Sequence, residues 1–140
     1  MPAYDQNNVF AKIIRGEMPC YKVYEDDKVL AFLDIMPRAV GHTLVLPKAP
    51  ARNLLDVTAA DLAHVMTVAQ KVAKAAMTAF GADGITIQQF NEGAGGQVVF
   101  HLHVHVIPRK TGVPMKPPAS EKEKPEALAE HAKKLAAALA

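Results

Sequence analysis

The chain has 140 residues, a formal net charge of +2, half of its residues apolar, and a single cysteine, Cys20. That length suits one domain with one core, and basic residues scattered without a Lys/Arg run exclude a nucleic-acid or membrane-surface footprint. One cysteine excludes an internal disulfide and an all-cysteine metal site. No apolar run reaches the length of a membrane span. The opening Met1-Pro2-Ala3-Tyr4-Asp5 lacks the basic-then-apolar pattern of a signal peptide, so a cytoplasmic protein is expected.

In chain order, Asn8 precedes apolar residues at 9, 10, 13 and 14, and Gly16 closes the run, which predicts a short amphipathic helix. Residues 21–25 and 29–33 flank Asp26-Asp27-Lys28 and read as a hairpin. Pro37 and Gly41 interrupt residues 34–41, a loop. His42 to Pro47 forms a third strand that stops at proline. Strands in succession without intervening helices predict a largely antiparallel sheet. The longest helix should run from about Ala59 to Phe80. Thr58 and Asp61 resemble a capping box, and Leu62, Val65, Met66, Ala69, Val72, Ala73, Ala76 and Phe80 form its apolar stripe.

Residues 85–90 read as the fourth strand and 98–107 as the fifth, with Pro108 marking its end. Between them, Asn91-Glu92-Gly93-Ala94-Gly95-Gly96-Gln97 carries enough glycine to turn sharply and present backbone N–H groups to an anion. Residues 111–124 are rich in proline and lysine and should lie extended on the surface. Pro125 then opens a helix whose narrow stripe, Leu128, Ala132, Leu135 and Leu139, is expected to dock on the domain as a peripheral helix, the alternative being a mobile solvated tail. The expected division is a domain over 1–110 and a C-terminal extension with a peripheral helix over 111–140.

Three of the six histidines lie in Phe100-His101-Leu102-His103-Val104-His105-Val106-Ile107-Pro108. Alternation with aliphatic residues predicts a strand that projects His101, His103 and His105 to one side. Neighbouring imidazoles would then start roughly 6.6 Å apart, close enough to act on one group. Three readings follow. The rings are hydrogen-bonded strand residues without chemistry. Or they converge on zinc through three imidazoles, with His42 as a fourth ligand. Or a neutral imidazole attacks phosphorus while its neighbours donate hydrogen bonds and protons. The last uses the glycine-rich loop as well as the histidines and is preferred.

The run His101-Leu102-His103-Val104-His105-Val106-Ile107 resembles the His-x-His-x-His-x-x signature of the histidine triad superfamily. The stretches 10–19, 24–27, 31–35 and 41–48, with the loop 91–97, resemble its Hint-like branch, so the likeness covers about residues 8 to 110. It implies an α+β fold: a five-stranded antiparallel sheet, one long helix, a short N-terminal helix and a C-terminal helix, usually paired as a homodimer. It implies a purine nucleotide ligand (an AMP or GMP derivative), no cofactor and no catalytic metal. By resemblance, His103 is the nucleophile, His105 bonds phosphate oxygens, and His101 and His42 form a supporting relay. Asn91, Gly96, Gln97 and Val98 fall at the phosphate, Asp34 and Leu33 at the ribose, and Phe10, Ile13, Phe32, Ile35 and Leu44 at the base.

The implied activity is hydrolysis of nucleoside 5′-monophosphate derivatives, such as purine nucleoside phosphoramidates or related adenylates, through a nucleotidyl-histidine. Alternatives are a nucleotide-binding regulatory module with incidental hydrolysis and a dinucleoside polyphosphate hydrolase. The sequence departs from the family in three places. Val98 stands where many relatives carry Ser or Thr, and Leu33 where some carry a polar residue. Asn8 and Ala11 stand where some bacterial relatives place a zinc-binding cysteine pair, so structural zinc is not expected.

Overall fold

A computed structural model describes all residues, 1–140. The chain builds helix α1 (Val9–Ile14), strands β1 (Lys22–Glu25), β2 (Val29–Leu33) and β3 (Thr43–Pro47), and helix α2 (Ala59–Ala79). Strands β4 (Gly84–Gln88) and β5 (Val104–Arg109) and helix α3 (Pro125–Leu139) follow. The five strands form one antiparallel sheet in the order β1-β2-β3-β5-β4. The α+β architecture and the antiparallel sheet are as the sequence led one to expect.

Local chemistry accounts for the ends of the elements. The Asn8 side chain accepts the Ala11 N–H and caps α1, and Thr58 accepts the Asp61 N–H and caps α2. The Asp26 carboxylate accepts the N–H groups of Lys28 and Val29, closing the β1–β2 turn. Gly41, at φ +85°, occupies a left-handed conformation hard against the Phe80 ring, where a Cβ would sit 2.4 Å from a ring carbon.

The sheet has two covered faces. Val29, Ala31 and Leu33 of β2, Val45 of β3, and Val104 and Val106 of β5 pack against α2 and α3 in the larger core. Leu30, Phe32, Leu44 and Leu46 point the other way and join Phe10 of α1 in a smaller cluster. Because side chains alternate along a strand, His105, paired directly with Leu44, falls on that second face.

Three sequence expectations need correction. The fifth strand begins at Val104, not Val98, so His101 and His103 precede it and do not alternate along it. Pro108 does not end the strand, which continues to Arg109. Pairing with β3 stops at Val106, so the missing N–H of Pro108 breaks no bond on that side. The stripe of α2 is also rotated: Val68 and Ala75 are buried, whereas Met66 is 42% exposed.

Helix α3 contributes Leu128, Ala132 and Leu135 to the larger core, where they meet residues of α2 and β1. Leu135 is fully buried. Leu135→Ala should therefore cost about 2–5 kcal/mol in urea unfolding, the range of a truncated core leucine. A loss under about 0.5 kcal/mol, the size of a surface change, would place α3 outside the cooperative fold.

Candidate active site

Four imidazoles gather on the α1 face of the sheet, and their hydrogen bonds assign a tautomer to each neutral ring. Nδ1 of His103 lies 2.6 Å from the His101 carbonyl oxygen. A carbonyl only accepts, so Nδ1 carries the proton and Nε2 keeps its lone pair. The Arg38 N–H donates to Nδ1 of His42 at 3.0 Å, so the His42 proton is on Nε2. That Nε2–H donates in turn to Nδ1 of His105, 2.9 Å away, which leaves the His105 proton on its Nε2. Adjacent rings with centroids 5.0 Å apart thus present opposite polarity: His103 a lone pair, His105 an N–H.

His101 serves differently. Its Nε2–H donates to the Pro47 carbonyl at 2.8 Å, and its Nδ1 accepts the Tyr4 hydroxyl at 2.5 Å. Both nitrogens are committed, so the ring is a strut. It reaches His103 through its backbone carbonyl and not through its imidazole. The same commitments oppose convergence of His101, His103 and His105 on one zinc ion. A different trio, Asp34, His42 and His105, brings donor atoms within 4.8 Å of one another. There the His42–His105 hydrogen bond already occupies the facing nitrogens.

Burial sets the protonation state. It pushes His42 and His101 down to about 4 and His105 down to about 3, with neighbouring positive charges adding to the effect on His42 and His105. Burial lowers His103 too, partly offset by its bond to the His101 carbonyl. All four rings are neutral near pH 7. Burial raises Asp34, whose Oδ1 accepts the Met36 N–H and whose Oδ2 lies 3.7 Å from His42 Nε2.

Phe10 meets His103 edge-on at 4.8 Å and Phe32 at 5.5 Å between centroids. Ile13 packs on the same cluster beside Leu44, so four residues expected at the base converge here. Phe32 and Leu44 are nearly fully buried and make a floor. Ile35 lies outside the cluster, 43% exposed. Leu33 is a correction: its side chain belongs to the helix-side core, on the face opposite Phe32, and does not line this site.

The glycine-rich loop is built otherwise than its composition suggested. The N–H groups of Gly95 and Gln97 turn inward to the Glu92 carbonyl, and that of Gly96 to Gly93. The backbone N–H groups of Val98 and Val99 make no intramolecular hydrogen bond. The Gln97 side chain is buried and saturated: Oε1 accepts from Glu92 N–H and Asn53, and Nε2 donates to the Arg52 and Val99 carbonyls. Asn91 is likewise occupied by Leu54 N–H and Gln89. Val98 is 83% exposed.

Two elements escaped the sequence reading. Arg52 forms a two-bond ion pair with Glu92, at 2.7 and 3.1 Å, while its guanidinium lies 4.1 Å over the Phe100 ring. Asn53, fully buried, bonds both Glu92 and Gln97. Together they pin the loop to the segment before α2 and hold Glu92 at φ +62°. Tyr4 is the second. Neither lies in a periodic stretch, so no local signal marks them.

The four rings make a signed contribution to stability. His42, His101 and His105 titrate below their ordinary 6.5 when folded, so the unfolded chain takes up protons first as pH falls. Their contribution is complete above about 6.5 and is lost as pH drops toward the folded values. Asp34, raised, acts in the opposite sense. Urea unfolding at about pH 5 should show stability lower than at about pH 7.5 by on the order of 2 kcal/mol for each of these three rings, less the opposing contribution of Asp34. A flat profile over that range would mean the rings are not buried neutral.

Residues 15–112 match the family model described as the HIT domain. An uncharacterized HIT-like protein of Borreliella burgdorferi is 48% identical over 72% of this chain and 74% of its own length. A protein of Arabidopsis thaliana named adenylylsulfatase HINT3 is 42% identical over 73% of this chain, which spans only 52% of that relative. The crystal structure of a HIT-like protein involved in cell-cycle regulation from Bartonella henselae, with unknown ligand, superposes with a TM-score of 0.94. The two are 55% identical, over 98% of this chain and 99% of that one.

Proposed function

Because the chain belongs to the HIT (histidine triad) family, we propose that it is a nucleotide-binding hydrolase acting on nucleoside 5′-monophosphate derivatives through a covalent nucleotidyl-histidine. The observation that carries this reading is the pairing of a free lone pair on His103 Nε2 with an N–H on His105 Nε2, in adjacent rings. The His103 lone pair attacks the α-phosphorus. The bond to the leaving group breaks, and that group departs with the bonding electrons. Water then attacks phosphorus and gives up a proton to solvent, the P–N bond breaks with its electron pair returning to His103 Nε2, and the nucleoside monophosphate is released. The His105 N–H, with the free amides of Val98 and Val99, supplies hydrogen bonds to the phosphoryl oxygens as charge builds.

The nucleoside side of the site rests on Asp34 for the ribose hydroxyls and on Phe10, Ile13, Phe32 and Leu44 for a purine base. Asp34 keeps one oxygen free of the backbone for that purpose. Gly96 and Gln97 act by shaping the loop, since the Gln97 side chain has no group to spare. Ile35, exposed at the rim, is available to the base. The domain over 1–110 carries the chemistry, and the extension over 111–140 braces it through α3.

The leaving group follows from what the site lacks. An amine must be protonated to depart, whereas sulfate or phosphate departs as an anion. The rings are neutral near pH 7, and Val98 offers no hydroxyl. Related adenylates with anionic leaving groups are therefore better substrates than phosphoramidates. The relative named adenylylsulfatase supports that preference.

A turnover panel of adenosine and guanosine phosphoramidates, adenylyl sulfate and dinucleoside polyphosphates tests the reading. His103→Asn should lower turnover by at least about 10⁴-fold, as for loss of a nucleophile, with an unchanged unfolding midpoint. Turnover retained in that variant would sink the mechanism. Negligible wild-type turnover across the panel, with tight product binding, would instead favour a nucleotide-binding regulatory module, a reading that the exposed, hydroxyl-free Val98 supports.

Pairing of two copies into a homodimer is supported by the edge strand β4, with Ile87 45% exposed, and by Met66 and Met77. The two methionines lie three turns apart on one face of α2. Light scattering should give twice the chain mass, and Ile87→Asp should shift it to one. A monomeric wild type would refute the pairing.

A further inference from the structure

A cationic feature lies apart from the four-imidazole cluster, where the C-terminal end of α2, the end of β5 and the middle of α3 meet. Here a groove of about 420 Å³ is bordered by Arg38, Arg109, Lys110, Lys116, His131 and Lys134, and none of its lining residues is acidic. Its volume is that of a small-molecule site. Its floor is apolar, with Phe80, whose ring the His131 imidazole meets edge-on at 5.9 Å, and Pro108.

The charge balance is the unusual part. The whole chain carries a net +2, yet five permanently cationic side chains face one groove. Of these only Lys116 has a carboxylate partner, the exposed Glu121 at 3.1 Å. Arg38 is held by the Lys116 carbonyl and Gln88, and Arg109 by the Thr86 hydroxyl. Neither guanidinium has a counter-ion, though both are half-buried. Asp83, in the adjoining depression that shares Arg109 and Lys110, accepts the Thr111 N–H. Like charges held together cost free energy, and an anion among them recovers it.

We infer that this groove is a second anion site, separate from the imidazole cluster, for the phosphate chain of a small molecule. Several charges favour a di- or triphosphate over a monocarboxylate, and two planar guanidiniums suit phosphate oxygens. The apolar floor gives room for an organic group joined to the chain. A free polyphosphate and a nucleoside di- or triphosphate share this chemistry. The groove touches the imidazoles at one point: the N–H of Arg38 donates to His42.

The test uses the full chain with inorganic pyrophosphate and, separately, ADP, read by calorimetry and by backbone amide shifts. Lys110 and Lys134 are exposed and take no part in the imidazole network. K110Q/K134Q should therefore fold normally and weaken pyrophosphate binding roughly tenfold, the loss of two nearby charges in partly screened surroundings. Pyrophosphate should shift amides in 109–116 and 131–134 and leave 101–105 unmoved. ADP also suits the imidazole site, so its binding to the groove is read from 109–116 and 131–134 alone: saturation of those shifts at lower concentration than with pyrophosphate identifies a nucleotide-borne chain, and at equal or higher concentration a free one. With pyrophosphate, absence of binding, an affinity unchanged in the double variant, or shifts centred on 101–105 would each overturn the assignment. His103→Asn, which tests the hydrolytic reading, should leave pyrophosphate binding intact, so the two proposals fail separately.

Discussion

The hydrogen bond from His103 Nδ1 to the carbonyl of His101 is the contact on which the site depends. A carbonyl cannot donate, so it forces one tautomer and leaves the lone pair on the outward nitrogen. Had the partner been a hydroxyl or a water, either tautomer could have formed. A fixed acceptor also orients the ring with little residual freedom, an arrangement that suits attack along one direction. The carbonyl is itself held, because the His101 ring is anchored at both nitrogens, by Tyr4 and Pro47.

Polarity then passes through a chain of donors. The Arg38 amide sets His42, and His42 sets His105. Buried, uncharged imidazoles make this chain coherent, since protonation of any one would place a positive charge beside the others. The resulting site is rich in hydrogen-bond donors yet poor in acids near neutrality. Under the hydrolysis proposed above, that combination would stabilise charge on phosphoryl oxygens rather than protonate a departing group. The loop beside it owes its shape to Arg52, Asn53, Glu92 and Gln97, which are satisfied by one another.

The sheet separates two kinds of work. One face is filled by α2 and α3 and carries the larger core. The other holds Phe10, Phe32 and Leu44 under the imidazoles. A single residue step in β2 decides between them: Phe32 lies under the site, and Leu33, its neighbour, lies in the core. The residue that resemblance placed at the ribose is therefore turned away by the period of the strand.

Sequence by itself determined the number and type of elements, the caps of α1 and α2, the antiparallel sheet and the crowding of three histidines into five residues. Each of these depends on residues near one another along the chain, where period and capping chemistry can be read directly. Tertiary structure alone decided which imidazole keeps its lone pair, that His101 works through its carbonyl, and that the strand starts at Val104. It also brought Tyr4 to His101, His42 to His105 and Arg52 to Glu92, partners 97, 63 and 40 residues apart. A proton's position on an imidazole is set by whatever donor or acceptor the folded chain places 3 Å away, and no local pattern encodes a partner that distant.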